Sequence, residues 1–358
     1  MWKLGGFFVV MVVLFTTVFL LGPKVKVDTT LREPALPSQL SQLDKWLAKK
    51  ESVVENLRPG TNKQIVWFDK FQKQQTEWSV VYLHGFSASR QEIDPVPRKV
   101  AAALRANLFY TRLRGHGRDS AALGKATVNQ WLNDSLEALR IGEKLGKKVV
   151  LFSTSTGSTL AMWLGCRPGL SKNVVAHVMT SPNFEPKNKT GRLLLKPWGR
   201  LIAQIVTGGK RSWTPRNKEQ AMYWTTTYPA NSLVTLMALV GIVEKLDLSK
   251  VTQPLQILYS PEDKVIDTKL VVKRFKEFRN PLKELVAVHD TSNPSNHVLT
   301  GRILSPGNVQ STTKRIVTFL LKVKASTKLA PTAKPGIVPV DASGQKPDKQ
   351  PGHVPAPR

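Results

Sequence analysis

Residues 149–157 read Val149-Val150-Leu151-Phe152-Ser153-Thr154-Ser155-Thr156-Gly157, an apolar run that turns abruptly into small and hydroxylated residues. Consecutive apolar β-formers suit a strand buried on both faces, as in a parallel sheet. The residues that follow suit a helix, so Ser155 falls on the corner between the two. An attacking serine needs such a corner: the sharp turn lifts its hydroxyl clear, and small residues two positions to either side let the backbone bend. Those neighbours are Ser153 and Gly157, with Ser153 standing where glycine is commoner. Ser155 is the expected nucleophile.

Working outward, His84-Gly85-Phe86 follows directly on an apolar run that ends at Leu83. In acyl transfer negative charge develops on the carbonyl oxygen, and fixed backbone N–H groups must meet it. The loop after this strand and the residue after the nucleophile supply those donors, so Phe86 and Thr156 are the expected oxyanion-hole pair. His84 is expected to brace the loop. Downstream, residues 255–267 read L-Q-I-L-Y-S-P-E-D-K-V-I-D, a strand and then an acidic turn. A base imidazole must be held in one tautomer by a carboxylate. Asp263 is preferred for that role over Glu262 and Asp267, and an acidic residue here that is not the orienting acid would cap a helix. His297 lies in the loop after the last strand and is the expected base, ahead of His289 at the end of that strand.

Around these pieces strands and helices alternate. Strands are expected at residues 64–68, 79–83, 108–112, 148–154, 174–180, 255–259 and 284–289, and helices at 41–57, 97–104, 128–145 and 157–165. Thr127 and Gln130 stand in capping-box register, and Gly146 ends that helix. Such alternation implies a mostly parallel sheet covered by helices on both faces. Between residues 183 and 250 the alternation stops. That insert carries Trp198, Trp213, Tyr223, Trp224 and Tyr228 among many cations, with helical stretches at 193–205 and 233–243. Its place near the carboxyl ends of the strands suggests a lid. The expected organisation is an N-terminal segment (1–23), a linker with an amphipathic helix (24–63), a catalytic domain (64–323) and a disordered Pro- and Lys-rich tail (324–358).

Residues 4–22 carry no charge, close to the roughly 20 residues a helix needs to cross a bilayer. The run ends in Leu20-Leu21-Gly22-Pro23, a poor cleavage site for a signal peptide. An uncleaved signal anchor is therefore expected, placing the catalytic domain beyond the inner membrane, as in a bacterial periplasm, with secretion after cleavage as the alternative. The 53 Lys+Arg against 25 Asp+Glu give a net charge of +28, which attracts anionic surfaces. The cations are scattered and no nucleic-acid motif accompanies them, so an acidic lipid or polymer surface suits them better than specific nucleic acid. The single cysteine, Cys166, excludes an internal disulfide and a cysteine-based metal site. It is expected to pack as a small apolar group at a helix end.

Taken together, the H-G-F loop, the Arg114-Gly115-His116-Gly117 turn, the S-T-S-T-G corner, the S-P-E-D turn and the N-H-V-L loop resemble the α/β-hydrolase superfamily, in particular bacterial esterases and monoacylglycerol-lipase-like serine hydrolases. The order serine, acid, histidine along the chain is the one this fold uses. The resemblance spans residues 64–323. It implies an α/β-hydrolase fold with a lid insert, no metal and no organic cofactor, and a small-molecule or lipid ester as substrate. A thioesterase, amidase or acyltransferase would use the same residues, and an inactive fold serving as a tethered binding module is the rival from another class.

Overall fold

The computed structural model describes residues 2–329. Its first helix, α1, spans Trp2–Leu20. Among the described residues no helix is long and apolar enough to cross a membrane. This overturns the expected transmembrane or signal anchor, and with it the membrane-anchored placement of the catalytic domain that rested on it. The physical reason lies in how the apolar run ends. At 1.5 Å per residue α1 reaches about 28 Å, short of the ~30 Å hydrocarbon core. Residues 21–22 do not extend it; they turn and dock on the insert instead. A Cβ on Gly22 would meet the Trp198 indole at 2.0 Å, and Trp198 donates its backbone N–H to the Pro23 carbonyl at 2.9 Å. The larger apolar side chains of α1, such as Phe7 and Phe15, stay exposed.

Residues 24–40 then run as an extended strap along the body. The strap donates the Arg32 N–H to Asn133 Oδ1 at 2.7 Å and pairs Glu33 with Arg140 through both carboxylate oxygens. Helix α2, Leu43–Ser52, buries Leu43, Leu47 and Glu51. It stops short of the expected residue 57 because the chain turns at Ser52 and Asn56 adopts a positive φ of 53°, a conformation helices do not continue through.

The strands β1 (Gln64–Val66), β2 (Thr76–Leu83), β3 (Asn107–Tyr110), β4 (Gly146–Thr154) and β5 (Val174–Thr180) are followed by a short antiparallel pair, β6 (Lys210–Ser212) and β7 (Thr227–Pro229), and then by β8 (Leu255–Tyr259) and β9 (Lys283–Ala287). The main sheet has seven strands in the order β1-β3-β2-β4-β5-β8-β9. All neighbours are parallel except β1, which runs antiparallel to β3 at the edge. Side chains alternate along each strand. In β2, Val81 and Leu83 join one buried cluster while Val80 and Tyr82 join the other. The first cluster is covered by α5 (Val128–Leu145) and α6 (Thr156–Gly165). The second is covered by α3 (Val96–Leu104) and by α12 (Val309–Leu329), the last described helix.

Local chemistry sets these boundaries. Thr127 and Gln130 form the reciprocal capping box at the start of α5, and Gly146 ends it. The short helix α4 (Ser120–Lys125) is capped by Asp119, and α7 (Pro168–Ser171) begins on a proline. In the insert, a 3₁₀ turn (Lys189–Leu195) and α8 (Gly199–Thr207) replace one expected helix. Pro197 breaks it, since a proline cannot donate and clashes with the preceding turn, and Trp198 takes a left-handed φ of 65°. The insert continues through α9 (Lys218–Tyr223) and α10 (Asn231–Glu244). Helix α11 (Thr268–Glu277) and α12 occupy segments where the sequence showed no clear element. The expected tail therefore begins inside α12 at residues 324–329, and its remainder lies outside the described residues.

Candidate active site

Every expected site residue sits where a strand of the main sheet ends. Ser155 follows β4 and caps α6 with φ 50° and ψ −115°, a conformation a non-glycine residue keeps only when its surroundings impose it. Three contacts impose it. Ser155 N–H donates to the Thr180 carbonyl at 3.0 Å, and its carbonyl accepts from Asn183 N–H at 3.2 Å. Gly157 passes so close to the end of β2 that a Cβ there would meet the Leu83 carbonyl oxygen at 2.0 Å. Ser153, in the place usual for glycine, is buried, with its hydroxyl 3.1 Å from Ser158 Oγ. A small side chain whose polar atom is satisfied suffices at that position.

The loop after β8 holds Asp263, fully buried. Its Oδ1 accepts the Val265 and Ile266 N–H groups at 2.7 and 3.2 Å. That leaves Oδ2 for His297 Nδ1–H at 2.8 Å, and His297 Nε2 lies 3.0 Å from Ser155 Oγ. The His297 loop is fastened from behind, its carbonyl accepting the Ser181 hydroxyl at 2.7 Å. Burial works against the charged imidazolium, but the charge and hydrogen bond of Asp263, helped by the charge of Glu92, outweigh it. The His297 pKa lies above the ordinary 6.5. A hydroxyl, an imidazole and a carboxylate in this sequence can pass a proton from the first to the second while the third steadies the resulting charge.

The residues weighed as competitors sit elsewhere. Asp267 is the N-cap of α11, accepting Leu270 N–H, and so plays the capping part an acidic turn residue can play. Glu262 and His289 face each other at 3.3 Å on the exposed side of the sheet end. Cys166 is buried at the end of α6, and burial pushes its thiol up to about 11. Among the described residues, no group of three or more His, Cys, Asp or Glu is placed to hold a metal ion.

The H-G-F loop passes beside Ser155. Neither Phe86 N–H nor Thr156 N–H donates to any acceptor among the described residues, and Thr156 stands in the first turn of α6, where N–H groups have no intrahelical partner. His84 braces the loop. Its Nδ1 lies 2.8 Å from the Gly85 carbonyl oxygen, and its Nε2 accepts Leu113 N–H at 3.1 Å. This network assigns the Nδ1–H tautomer. Burial drives the His84 pKa down to about 4, so the ring is neutral. His116, packed 4.9 Å from His84 between Phe86 and Trp131, is likewise held neutral by burial.

One residue escaped the sequence reading. Glu92, in the loop between β2 and α3, is almost fully buried and lines the same cavity as Ser155 and His297. Burial raises its carboxyl to about 7. In sequence it is one charge in Ser89-Arg90-Gln91-Glu92-Ile93-Asp94, which reads as a solvated loop, since unpaired acids are seldom buried.

The cavity at this site measures about 360 Å³. Phe86 forms part of its wall and the insert supplies Trp213, Trp224, Tyr228 and Leu236, with Arg211 and Arg216 also lining it. A larger cavity of about 1050 Å³ lies away from the site, between the strap and the body, and its lining includes the ion pairs of Glu51 with Arg112 and of Lys63 with Glu137.

Residues 74–291, more than half of the chain, match the family described as Serine aminopeptidase, S33. No curated protein matches the chain. Among solved structures it resembles one reported under "LipS and LipT, two metagenome-derived lipolytic enzymes", with a TM-score of 0.61 and 18% identity, covering 74% of this chain and 99% of that one. It also resembles a soluble variant of monoglyceride lipase from Saccharomyces cerevisiae, with a TM-score of 0.55 and 14% identity over 73% of this chain and 91% of that one. A monoacylglycerol lipase from Paleococcus ferrophilus gives a TM-score of 0.52 and 14% identity over 73% and 98%. At such identities these likenesses bear on the fold alone. The family match and the fold agree: this chain is a hydrolase of the α/β-hydrolase class and belongs to the S33 serine aminopeptidase family.

Proposed function

We propose that the chain is a serine esterase acting on acyl esters, with Ser155 as nucleophile, His297 as general base and Asp263 as the carboxylate that orients it. The observation that carries this is the unbroken hydrogen-bonded line from Asp263 through His297 to Ser155 Oγ, at 2.8 and 3.0 Å. Ser155 Oγ attacks the ester carbonyl as its proton passes to His297 Nε2, forming a C–O bond and a tetrahedral oxyanion. The Phe86 and Thr156 N–H groups meet that oxygen, and the positive end of the α6 dipole adds to them. Collapse breaks the bond to the alcohol, which leaves with the proton from His297. Water then attacks the acyl carbonyl as its proton passes to His297 Nε2, and collapse breaks the bond to Ser155 Oγ, which takes that proton back as the acid is released.

The cavity favours an ester over a peptide amino terminus. Holding an ammonium group calls for a free carboxylate, and the only acidic side chain in the lining is Glu92, whose Oε2 is already taken by the Gly85 N–H and the Tyr82 hydroxyl. The aromatic wall contributed by the insert suits an acyl chain, and the insert is read as a lid over it. A volume of about 360 Å³ stands near the lower end of the usual ligand-pocket range of ~300–1,000 Å³, which favours short and medium chains.

Two measurements test the reading. A fluorophosphonate probe should label the native chain and not Ser155→Ala. p-Nitrophenyl esters of graded length should be hydrolysed with a maximum at short to medium acyl chains. Labelling that survives Ser155→Ala removes the assignment, and a native chain that neither labels nor turns over any ester favours the inactive binding module instead.

A further inference from the structure

The direction of the Phe86 N–H is set by two peptide groups, and each is clamped at its opposite edge. The Gly85–Phe86 peptide presents its carbonyl oxygen to His84 Nδ1–H at 2.8 Å and to Ala88 N–H at 3.4 Å. In a trans peptide the N–H points opposite to the carbonyl, so this clamp turns the Phe86 N–H away from His84. The preceding peptide is held through its own N–H, which Gly85 donates to Glu92 Oε2 at 2.8 Å. With both peptide planes fixed, the torsions at Gly85 have little freedom left, although glycine is otherwise the most permissive residue.

Glu92 is built into this place from several sides. Its Oε2 also lies 3.1 Å from the Tyr82 hydroxyl, which is itself 3.0 Å from Thr154 Oγ1, and that hydroxyl in turn is 2.7 Å from Thr180 Oγ1. This buried line of hydroxyls crosses the ends of β2, β4 and β5 directly beneath the Ser155 corner. A Cβ on Gly85 would meet Glu92 Oε1 at 2.7 Å, so the carboxyl lies flat against the glycine. The main chain at residues 92–93 is backed by Gly301, at φ 109°, where a Cβ would come within 2.8 Å of the Glu92 carbonyl oxygen.

We propose that Glu92 is a positioning residue of the oxyanion site: by holding the Gly85 amide through Oε2 it fixes the aim of the Phe86 N–H at the oxygen that becomes charged in the reaction. The proposal rests on the esterase reading above. What it requires of residue 92 is an acceptor at the right distance, and not a negative charge, which beside a developing oxyanion would oppose catalysis. An amide side chain of the same length therefore does the work, and a shorter carboxylate does not.

The test compares Glu92→Asp, Glu92→Gln and Ser155→Ala in the full chain, with p-nitrophenyl butyrate as substrate, an alkyl boronic acid as mimic of the tetrahedral state, and thermal midpoints measured alongside. In Glu92→Asp kcat should fall on the order of tenfold or more with KM within about twofold, because an oxyanion donor acts in the transition state and not in the bound substrate. Boronate affinity should fall with kcat. Glu92→Gln should stay within about threefold of wild type in both. Wild-type kcat in Glu92→Asp, a loss seen in KM alone, or equal losses in the two variants would overturn the proposal. If Glu92→Asp does not fold, a loss beyond about tenfold in folded Glu92→Gln overturns it, and retention supports it. Turnover that persists in Ser155→Ala strikes the esterase reading itself, whereas an inert Ser155→Ala beside an unaffected Glu92→Asp strikes this proposal alone.

Discussion

At the scale of single residues, the site sets a pH dependence with a definite sign. In the proposed mechanism His297 must be neutral to accept the Ser155 proton, and its pKa is held above 6.5 although burial alone would lower it. The acid limb of kcat/KM, which reports the free enzyme, should therefore rise with pH through a midpoint above 6.5. Asp263→Asn removes the charge that raises it and offers the wrong hydrogen-bonding partner to Nδ1. The limb should then shift to lower pH while kcat falls on the order of 10⁴-fold, and a limb that stays in place would mean that Asp263 is not coupled to the base. The sequence pointed to Ser155, Thr156, Phe86, Asp263 and His297 because each stands in or next to a loop that follows a strand of the sheet, and strand ends are where such a sheet gathers its ligands. It did not point to Glu92, because its burial follows from Tyr82 and Gly85 closing over it, contacts that no local pattern announces.

At the scale of elements, the site depends on a helix that never touches it. Glu51 on α2 accepts Arg112 Nε and Nη2 at 2.9 and 2.8 Å and the Lys63 N–H at 2.9 Å, with both side chains of the Glu51–Arg112 pair under a tenth exposed. Arg112 is next to Leu113, whose N–H holds His84 and so the H-G-F loop. Glu51→Ala should cost about 3–5 kcal/mol, since it strands a buried guanidinium, while Glu51→Leu combined with Arg112→Met should recover much of that loss. Chemical denaturation of the three proteins checks it, and additive losses in the double variant would show that the two groups do not act as a pair. Element boundaries were readable where a single residue decides them, as with the Thr127–Gln130 box, Gly146 and the exact run of β5 at Val174–Thr180. They were misread at the insert helix, which Pro197 splits, and at the first helix, which ends at Leu20, two residues before the uncharged run does. Helix α11 went unread although its Asp267 cap and the helical spacing of Leu270, Val271 and Phe275, which pack on the core, both mark it.

At the scale of the whole molecule, a net charge of +28 is large for a chain of 358 residues, and it predicts retention on a polyanion such as heparin at low ionic strength with release as salt rises and the Debye length shrinks from about 10 Å at 0.1 M to about 3 Å at 1 M. Elution indifferent to salt would show that the cations are locally compensated. The fold class was legible at this scale from alternation alone, because a buried parallel strand and the helix that returns the chain leave different periodicities. What alternation does not show is the order in which distant pieces close. The second buried cluster is completed by Ile316, Phe319, Leu320 and Val323 of α12, laid against Val96, Val100 and Leu104 of α3. Those partners are separated by more than half the polypeptide. During synthesis the α3 side of the sheet must therefore wait, apolar and only partly roofed, until α12 has emerged from the ribosome, so that a nascent product cut short before α12 is a substrate for chaperones and proteases even with Ser155, Asp263 and His297 already made.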